Sequence, residues 1–102
     1  MIHAEISIYP IGTSTTSASF YIAKAIEVLK DIKEINYQVN PMGTILESNS
    51  IEQIYDAAKS MMEVVHNLGV GRVEVILKID SRKDKIKNMQ EKLDSINKYL
   101  KE

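Results

Sequence analysis

Ile2, Ala4, Ile6 and Ile8 alternate with His3, Glu5, Ser7 and Tyr9, the period-two pattern of a strand with one buried and one more polar face. Pro10 is expected to end that strand. Residues 11–19 are rich in Gly, Thr and Ser and read as a loop. Phe20, Ile22, Ala23, Ile26, Leu29 and Ile32 then recur at helical spacing and predict a first helix running to about Glu34.

Tyr37 and Val39 alternate with Asn36, Gln38 and Asn40, a short second strand. Pro41 and Gly43 punctuate the chain before residues 44–48 resume an extended pattern, so the two strands read as a hairpin with a distorted connection. Ser50 lies three residues before Gln53, the spacing of a capping box. The stripe Ile51, Ile54, Tyr55, Ala58, Met61, Met62, Val65 and Leu68 follows, with Gly69 as its stop. Val73, Val75, Leu77 and Ile79 alternate with Glu74, Ile76, Lys78 and Asp80 in a fourth strand, and Ile86, Met89, Leu93, Ile96 and Leu100 form a narrow helical seam.

The resulting order, βαββαβ plus a C-terminal helix, predicts the α+β class: an antiparallel sheet of ferredoxin-like topology with both crossover helices on one face. We expect one domain over residues 1–102, because two halves of about 50 residues would each be marginal without metals or disulfides, and the chain has no cysteine. The helices are expected to cover Ile2, Ile6, Val73 and Leu77. The opposite face then carries His3, Glu5, Ser7, Tyr9, Glu74, Ile76, Lys78 and Asp80. An apolar Ile76 on that face and an unplaced seam on the last helix point to a homo-oligomer, dimer or tetramer. The competing arrangement is a monomer whose last helix folds back over its own sheet.

Thirteen basic and 14 acidic residues give a net charge of −1, so no strong positive field gathers phosphates, and nucleic acid is not the expected partner. Lys and Arg around residues 72–87 are interleaved with Glu74, Asp80 and Asp84, a mixed-charge surface. The absence of cysteine fits a reducing compartment. Residues 1–10 alternate and include Glu5, unlike a signal peptide, and no apolar run approaches the roughly 18 residues of a membrane span. A cytoplasmic location without membrane association is expected.

His3 and His66 are far apart in sequence and no metal site is expected. His66, in the last turn of the second helix, reads as a solvated histidine favoured by the helix terminus. No Gly-x-Ser-x-Gly elbow accompanies the Ser and Thr residues, and no catalytic residues are expected. The hydroxyls of residues 13–19 gather near a helix N-terminus, where they cap the helix or hold a polar ligand. The Walker lysine pattern is missing.

The stretch Tyr37-Gln38-Val39-Asn40-Pro41-Met42-Gly43-Thr44-Ile45-Leu46-Glu47 resembles the small archaeal and bacterial thiamine-binding proteins related to YkoF-like domains, in which a Pro-Met-Gly-Thr turn precedes an aliphatic residue and Glu. Residues 5–12, ending in Pro10-Ile11-Gly12, are similar to that family's first strand and turn. Ser19-Phe20-Tyr21-Ile22-Ala23 stands in place of its helix start, and Asp80-Ser81-Arg82 resembles its Asp-x-Arg. The chain departs from the pattern at Ser48, where Gly is common, and at Lys83-Asp84.

The resemblance implies a ferredoxin-like dimer or tetramer that binds thiamine or its hydroxymethylpyrimidine moiety without catalysis and without a cofactor. Ser17, Ser19, Thr44 and Glu47 are the expected polar contacts, Tyr37 or Met42 the flat apolar wall, and Gly43 the turn. Two other readings stand beside it. One is a regulatory or scaffolding homo-oligomer that binds another small metabolite or a protein partner. The other is an enzyme that uses the Ser/Thr loop and Glu47 as acid or base.

Overall fold

The computed structural model describes residues 1–100. Strand β1 spans Ile2–Ile11, and helix α1 spans Ser19–Glu27 and tightens into a 3-10 turn over Val28–Asp31. Strands β2 (Asn36–Asn40) and β3 (Gly43–Ser48), helix α2 (Ile51–Asn67), strand β4 (Arg72–Ser81) and helix α3 (Met89–Asn97) follow. The sheet order is β2-β3-β1-β4 with every neighbouring pair antiparallel. This is the expected α+β ferredoxin-like sheet with a C-terminal helix.

The core is where the alternating pattern places it. Ala4, Ile6, Ile8 and Leu46 meet Ala25, Leu29, Ile54, Ala57, Met61 and Val65 from the helices, with Val73, Val75 and Leu77 half-buried beside them. Each fully buried Ile, Leu, Val or Met side chain among them contributes about 1.5–3 kcal/mol, and the alanines less.

The first strand continues past Pro10 to the pair Ile11↔Arg72. The Met1 nitrogen donates to the Arg82 carbonyl (3.3 Å) and the Arg82 amide donates to the Met1 carbonyl (3.4 Å). A pair that exchanges both bonds fixes the alternation of the ladder. Odd-numbered residues of β1 turn their backbone groups to β4, and even-numbered residues turn theirs toward β3. The missing N–H of Pro10 therefore falls on the β3 side, beyond the last β3 pair at Ile6↔Thr44, where no ladder bond is lost.

The helices are shifted from their predicted stripes. Glu34 lies outside the first helix with φ 60°, and Phe20 and Ile22 stay exposed while Ala25 and Leu29 enter the core. In α2 the buried positions are Ile54, Ala57, Met61 and Val65, while Tyr55 and Leu68 face outward. Only one stripe of a 3.6-residue period can face the sheet, and small Ala57 rather than bulky Tyr55 allows close approach. Ser50 occupies the N-cap without a side-chain cap bond; its hydroxyl donates to the Glu52 carboxylate (3.1 Å). Gly69 does end the helix, at φ 96°, and its amide donates to the His66 carbonyl (2.9 Å). His66 is exposed, as expected, and its Nδ1 also hydrogen-bonds the Val70 carbonyl (2.8 Å) across that turn.

Helix α3 folds back to the face opposite α1 and α2, near His3 and Glu47. Its seam is not buried there: Leu93 and Ile96 are exposed, as are Ile86 and Leu100 on either side of the helix. The polar face assigned to His3 is correspondingly covered at that end, and His3 is buried.

Candidate functional site

Asn40 pairs with Gly43, leaving Pro41 and Met42 as a two-residue hairpin connection. A Cβ built on Gly43 would lie 3.2 Å from the Ser7 hydroxyl oxygen, 3.3 Å from Glu5 Cγ and 3.3 Å from the Ile6 carbonyl oxygen. Glycine therefore eases the close approach of β3 to β1, where a side chain would press on its neighbours, and is not needed for its backbone angles, since the positive-φ glycines are Gly12 and Gly69. Ser7 fastens the turn by donating its hydroxyl proton to the Met42 carbonyl (3.2 Å).

Beyond this turn β1 outruns β3, and a cavity of about 160 Å³ opens between them and the helices. Its walls are apolar: Ile6, Ile8, Ile22, Ala25, Val39 and Met61. Thr44, Asn40 and Ser7 supply polar groups, with Thr44 buried, and Met42 lines the site while standing 84% exposed. The strand alternation also aims the Ile8 N–H and C=O at the side where β3 has ended. A backbone donor and acceptor side by side at an apolar wall suit a flat ring with a complementary edge. The cavity is smaller than the roughly 300–1,000 Å³ of pockets that enclose a whole drug-sized ligand, so it accommodates one ring and leaves any larger remainder outside.

Glu47 lies elsewhere. Its Oε2 accepts hydrogen bonds from His3 Nε2 (2.9 Å) and from the Met89 amide at the start of α3 (2.6 Å), and its Oε1 accepts from Asn36 Nδ2 (3.2 Å). Burial pushes the Glu47 carboxyl up, but the hydrogen bonds from His3, Asn36 and Met89, together with the charge of His3, outweigh it and hold the pKa below its ordinary value. This cluster ties β1, β2, β3 and α3 together.

Residues 4–97 match the family described as thiamine-binding protein. A UPF0045 protein of Methanothermobacter thermautotrophicus is 38% identical over 100 residues, covering 98% of this chain and 100% of the relative. One from Methanocaldococcus jannaschii is 43% identical over 93 residues, 91% of this chain and 89% of the relative. The crystal structure of a hypothetical protein from that archaeon superposes with a TM-score of 0.84 at 41% identity, covering 94% of this chain and 95% of its own. A putative thiamine biosynthesis/salvage protein from Thermotoga maritima shares the fold, with a TM-score of 0.75 at 22% identity and coverage of 93% and 97%.

The chain belongs to the thiamine-binding protein family. The family description is one of binding and names no reaction.

In this thiamine-binding family member the turn residues Met42, Gly43 and Thr44 come together at the cavity, while Ser17, Ser19, Tyr37 and Glu47 do not line it. Thr44 and Glu47 are three residues apart on one extended strand, so their side chains point to opposite faces of the sheet. Ser17 lies in a self-bonded loop and Ser19 is the first residue of α1: the Ser19 amide donates to the Ser17 hydroxyl (3.5 Å), and the Ser17 amide to the Thr15 hydroxyl (3.2 Å). Tyr37, opposite Leu46, packs half-buried against the core. Sequence reasoning missed Ile8, Asn40, Ile22, Ala25 and Met61. The available signal was strand length, since the alternation of β1 runs further than that of its partner.

Among the described residues no group of three or more His, Asp or Glu gathers where it could hold a metal ion. Among them, too, no helix is long and apolar enough to cross a membrane.

Proposed function

We propose that the chain binds thiamine through its hydroxymethylpyrimidine moiety, or that moiety alone, in the cavity beside Thr44, and acts non-enzymatically as a carrier, buffer or sensor. The observation that carries this reading is a ring-sized apolar cavity walled by the family's Pro-Met-Gly-Thr turn, with the Thr44 side chain and the Ile8 backbone as oriented polar partners. An aminopyrimidine edge presents a donor beside an acceptor, which complements the N–H and C=O of one strand residue. The charged remainder of thiamine extends past Met42 into solvent. The protein does this as a homo-oligomer, which supplies cover for the exposed apolar residues of the sheet face and of α3.

Calorimetry and thermal-shift titration with hydroxymethylpyrimidine, thiamine and thiamine diphosphate test the reading at fixed protein concentration. Ligand at about 100 times its Kd stabilises the folded state by about 2.7 kcal/mol per site. Thr44→Val keeps the shape and removes the hydroxyl; the expected result is at least about a tenfold loss of affinity. Glu47→Gln is expected to leave affinity within about threefold, because Glu47 faces away from the cavity. Absence of saturable binding by any of the three ligands overturns the reading. Loss of binding in Glu47→Gln with no effect of Thr44→Val moves the ligand to the other face.

A further inference from the structure

We propose that the cavity admits the pyrimidine in one direction only, with the 5-substituent of the ring pointing along β1 toward Pro10, and that Pro10 makes the site select an alcohol or a cationic group at that substituent over a phosphate ester. This rests on the reading that the ring occupies the cavity, and adds to it the direction of the ring and the chemical class of ligand accepted.

The β3 ladder ends at the pair Ile6↔Thr44, so the backbone groups of Ile8 and Pro10, turned to that side, have no strand opposite them. Along the chain the Ile8 N–H precedes the Ile8 C=O, and the edge therefore reads donor then acceptor toward Pro10. A 4-aminopyrimidine has one edge that matches: ring nitrogen N3 accepts and the adjoining 4-amino group donates. N3 falls at the Ile8 N–H and the amino group at the Ile8 C=O. The 5-substituent is attached next to the amino group, so it leaves toward Pro10. The reverse direction sets donor against donor and acceptor against acceptor. It also drives the substituent into the turn, where the Ser7 hydroxyl holds the Met42 carbonyl (3.2 Å) and Thr44 is buried.

Groups on one side of a strand repeat about every 7 Å, so the next donor after the Ile8 N–H would belong to residue 10, just past the amino group and beside the 5-substituent. Residue 10 is a proline and has no N–H. The edge there offers the carbonyl oxygens of Ile8 and Pro10 and no donor. Two acceptors receive a hydroxyl proton or attract a cation such as the thiazolium of thiamine, and they repel a phosphate. No charged side chain lines the cavity to offset that repulsion. Lys24 on α1 and Arg72, opposite Ile11 on β4, are each paired with a carboxylate, Lys24 with Glu27 (3.6 Å) and Arg72 with Glu74 (3.4 Å). Proline on a free edge also blocks pairing with another strand, but a role confined to that would leave the choice between two ligands untouched.

Calorimetry on the full chain with three probes tests this: hydroxymethylpyrimidine, its phosphate ester, and the 4-oxo analogue that carries N3–H and C4=O in place of the amino edge. The phosphate ester and the 4-oxo analogue are each expected to bind at least about tenfold more weakly than hydroxymethylpyrimidine. Pro10→Ala restores an N–H on the edge and is expected to narrow the gap between the alcohol and its phosphate ester to about threefold or less, with circular dichroism confirming the fold. In the unaltered protein, hydroxymethylpyrimidine is expected to slow exchange of the Ile8 amide, which then donates to the ring.

Failure of hydroxymethylpyrimidine and thiamine alike to bind overturns the reading on which this rests. Binding of hydroxymethylpyrimidine with an Ile8 amide that exchanges as before, or with the 4-oxo analogue bound equally well, keeps a pyrimidine site and overturns the assigned direction. A phosphate ester that binds as tightly as the alcohol or more tightly overturns the selectivity and moves its phosphate to the hydroxyls before α1. An unchanged ratio of the two affinities in folded Pro10→Ala overturns the role of Pro10.

Discussion

Glu47 shows how one carboxylate organises its surroundings. Three donors from three different elements converge on it, and charge-assisted bonds of this kind are worth about 1.5–3 kcal/mol each when buried. Its folded pKa is depressed, so it contributes stability that is present above its ordinary value of 4.5 and is lost as pH falls through the lower folded value. His3 on β1 faces it directly; Asp80 on β4 and Lys92 on α3 form the neighbouring pair. We expect the Met89 amide and the first turn of α3 to lose exchange protection on acidification through and below the ordinary carboxyl value of 4.5, and Glu47→Gln to lose it already at neutral pH. Unchanged protection in both would show that α3 is held by other contacts. Gly43 carries a steric constraint instead. Gly43→Ala is expected to cost about 1 kcal/mol in urea denaturation, because all three nearest neighbours of the added methyl are β1 atoms at 3.2–3.3 Å, one of them the Ile6 backbone carbonyl oxygen.

At the scale of elements, α3 is the least embedded. No residue of it is buried, and its start is fixed by Asn88, whose side chain accepts from the Glu91 amide (2.8 Å). Removing an N-cap of this type costs about 1 kcal/mol. We expect Asn88→Ala to raise amide exchange in α3 severalfold while the urea midpoint of the whole protein hardly moves, since this helix lies outside the cooperative core. The seam Ile86, Met89, Leu93, Ile96 and Leu100 was legible as an amphipathic pattern, yet a pattern states that a face wants cover and not where the cover comes from. The stripe of α2 was read one step around the helix, with Tyr55 in and Ala57 out, because residue size relative to the local gap is set by the sheet beneath it.

At the scale of the molecule, the site arises from a mismatch between strands. Strand β1 runs ten residues and β3 six, and the space left between them is roofed by α1 and α2. Met61 belongs to both core and cavity wall, at 2% exposure. Met61→Ala is expected to destabilise the fold by about 2–5 kcal/mol and to weaken pyrimidine binding at the same time, measured by denaturation and calorimetry on one preparation. Loss of stability with unchanged affinity would take the ligand out of this cavity.

The period-two and helical patterns by themselves determined the element order, the antiparallel ferredoxin-like class and the inward set Ala4, Ile6 and Ile8, because those depend on local spacing and on burial of whichever face is apolar. The Pro41-Met42-Gly43-Thr44 turn was likewise legible, since Pro and Gly act through the backbone of their own neighbourhood. Tertiary structure decided the rest. It placed Thr44 and Glu47 on opposite faces of the sheet, gave Glu47 its partners 42 to 44 residues away at Met89 and His3, and opened the cavity where one strand outlasts the next. These depend on register and on which elements meet, and contacts of that range leave no periodic trace along the chain.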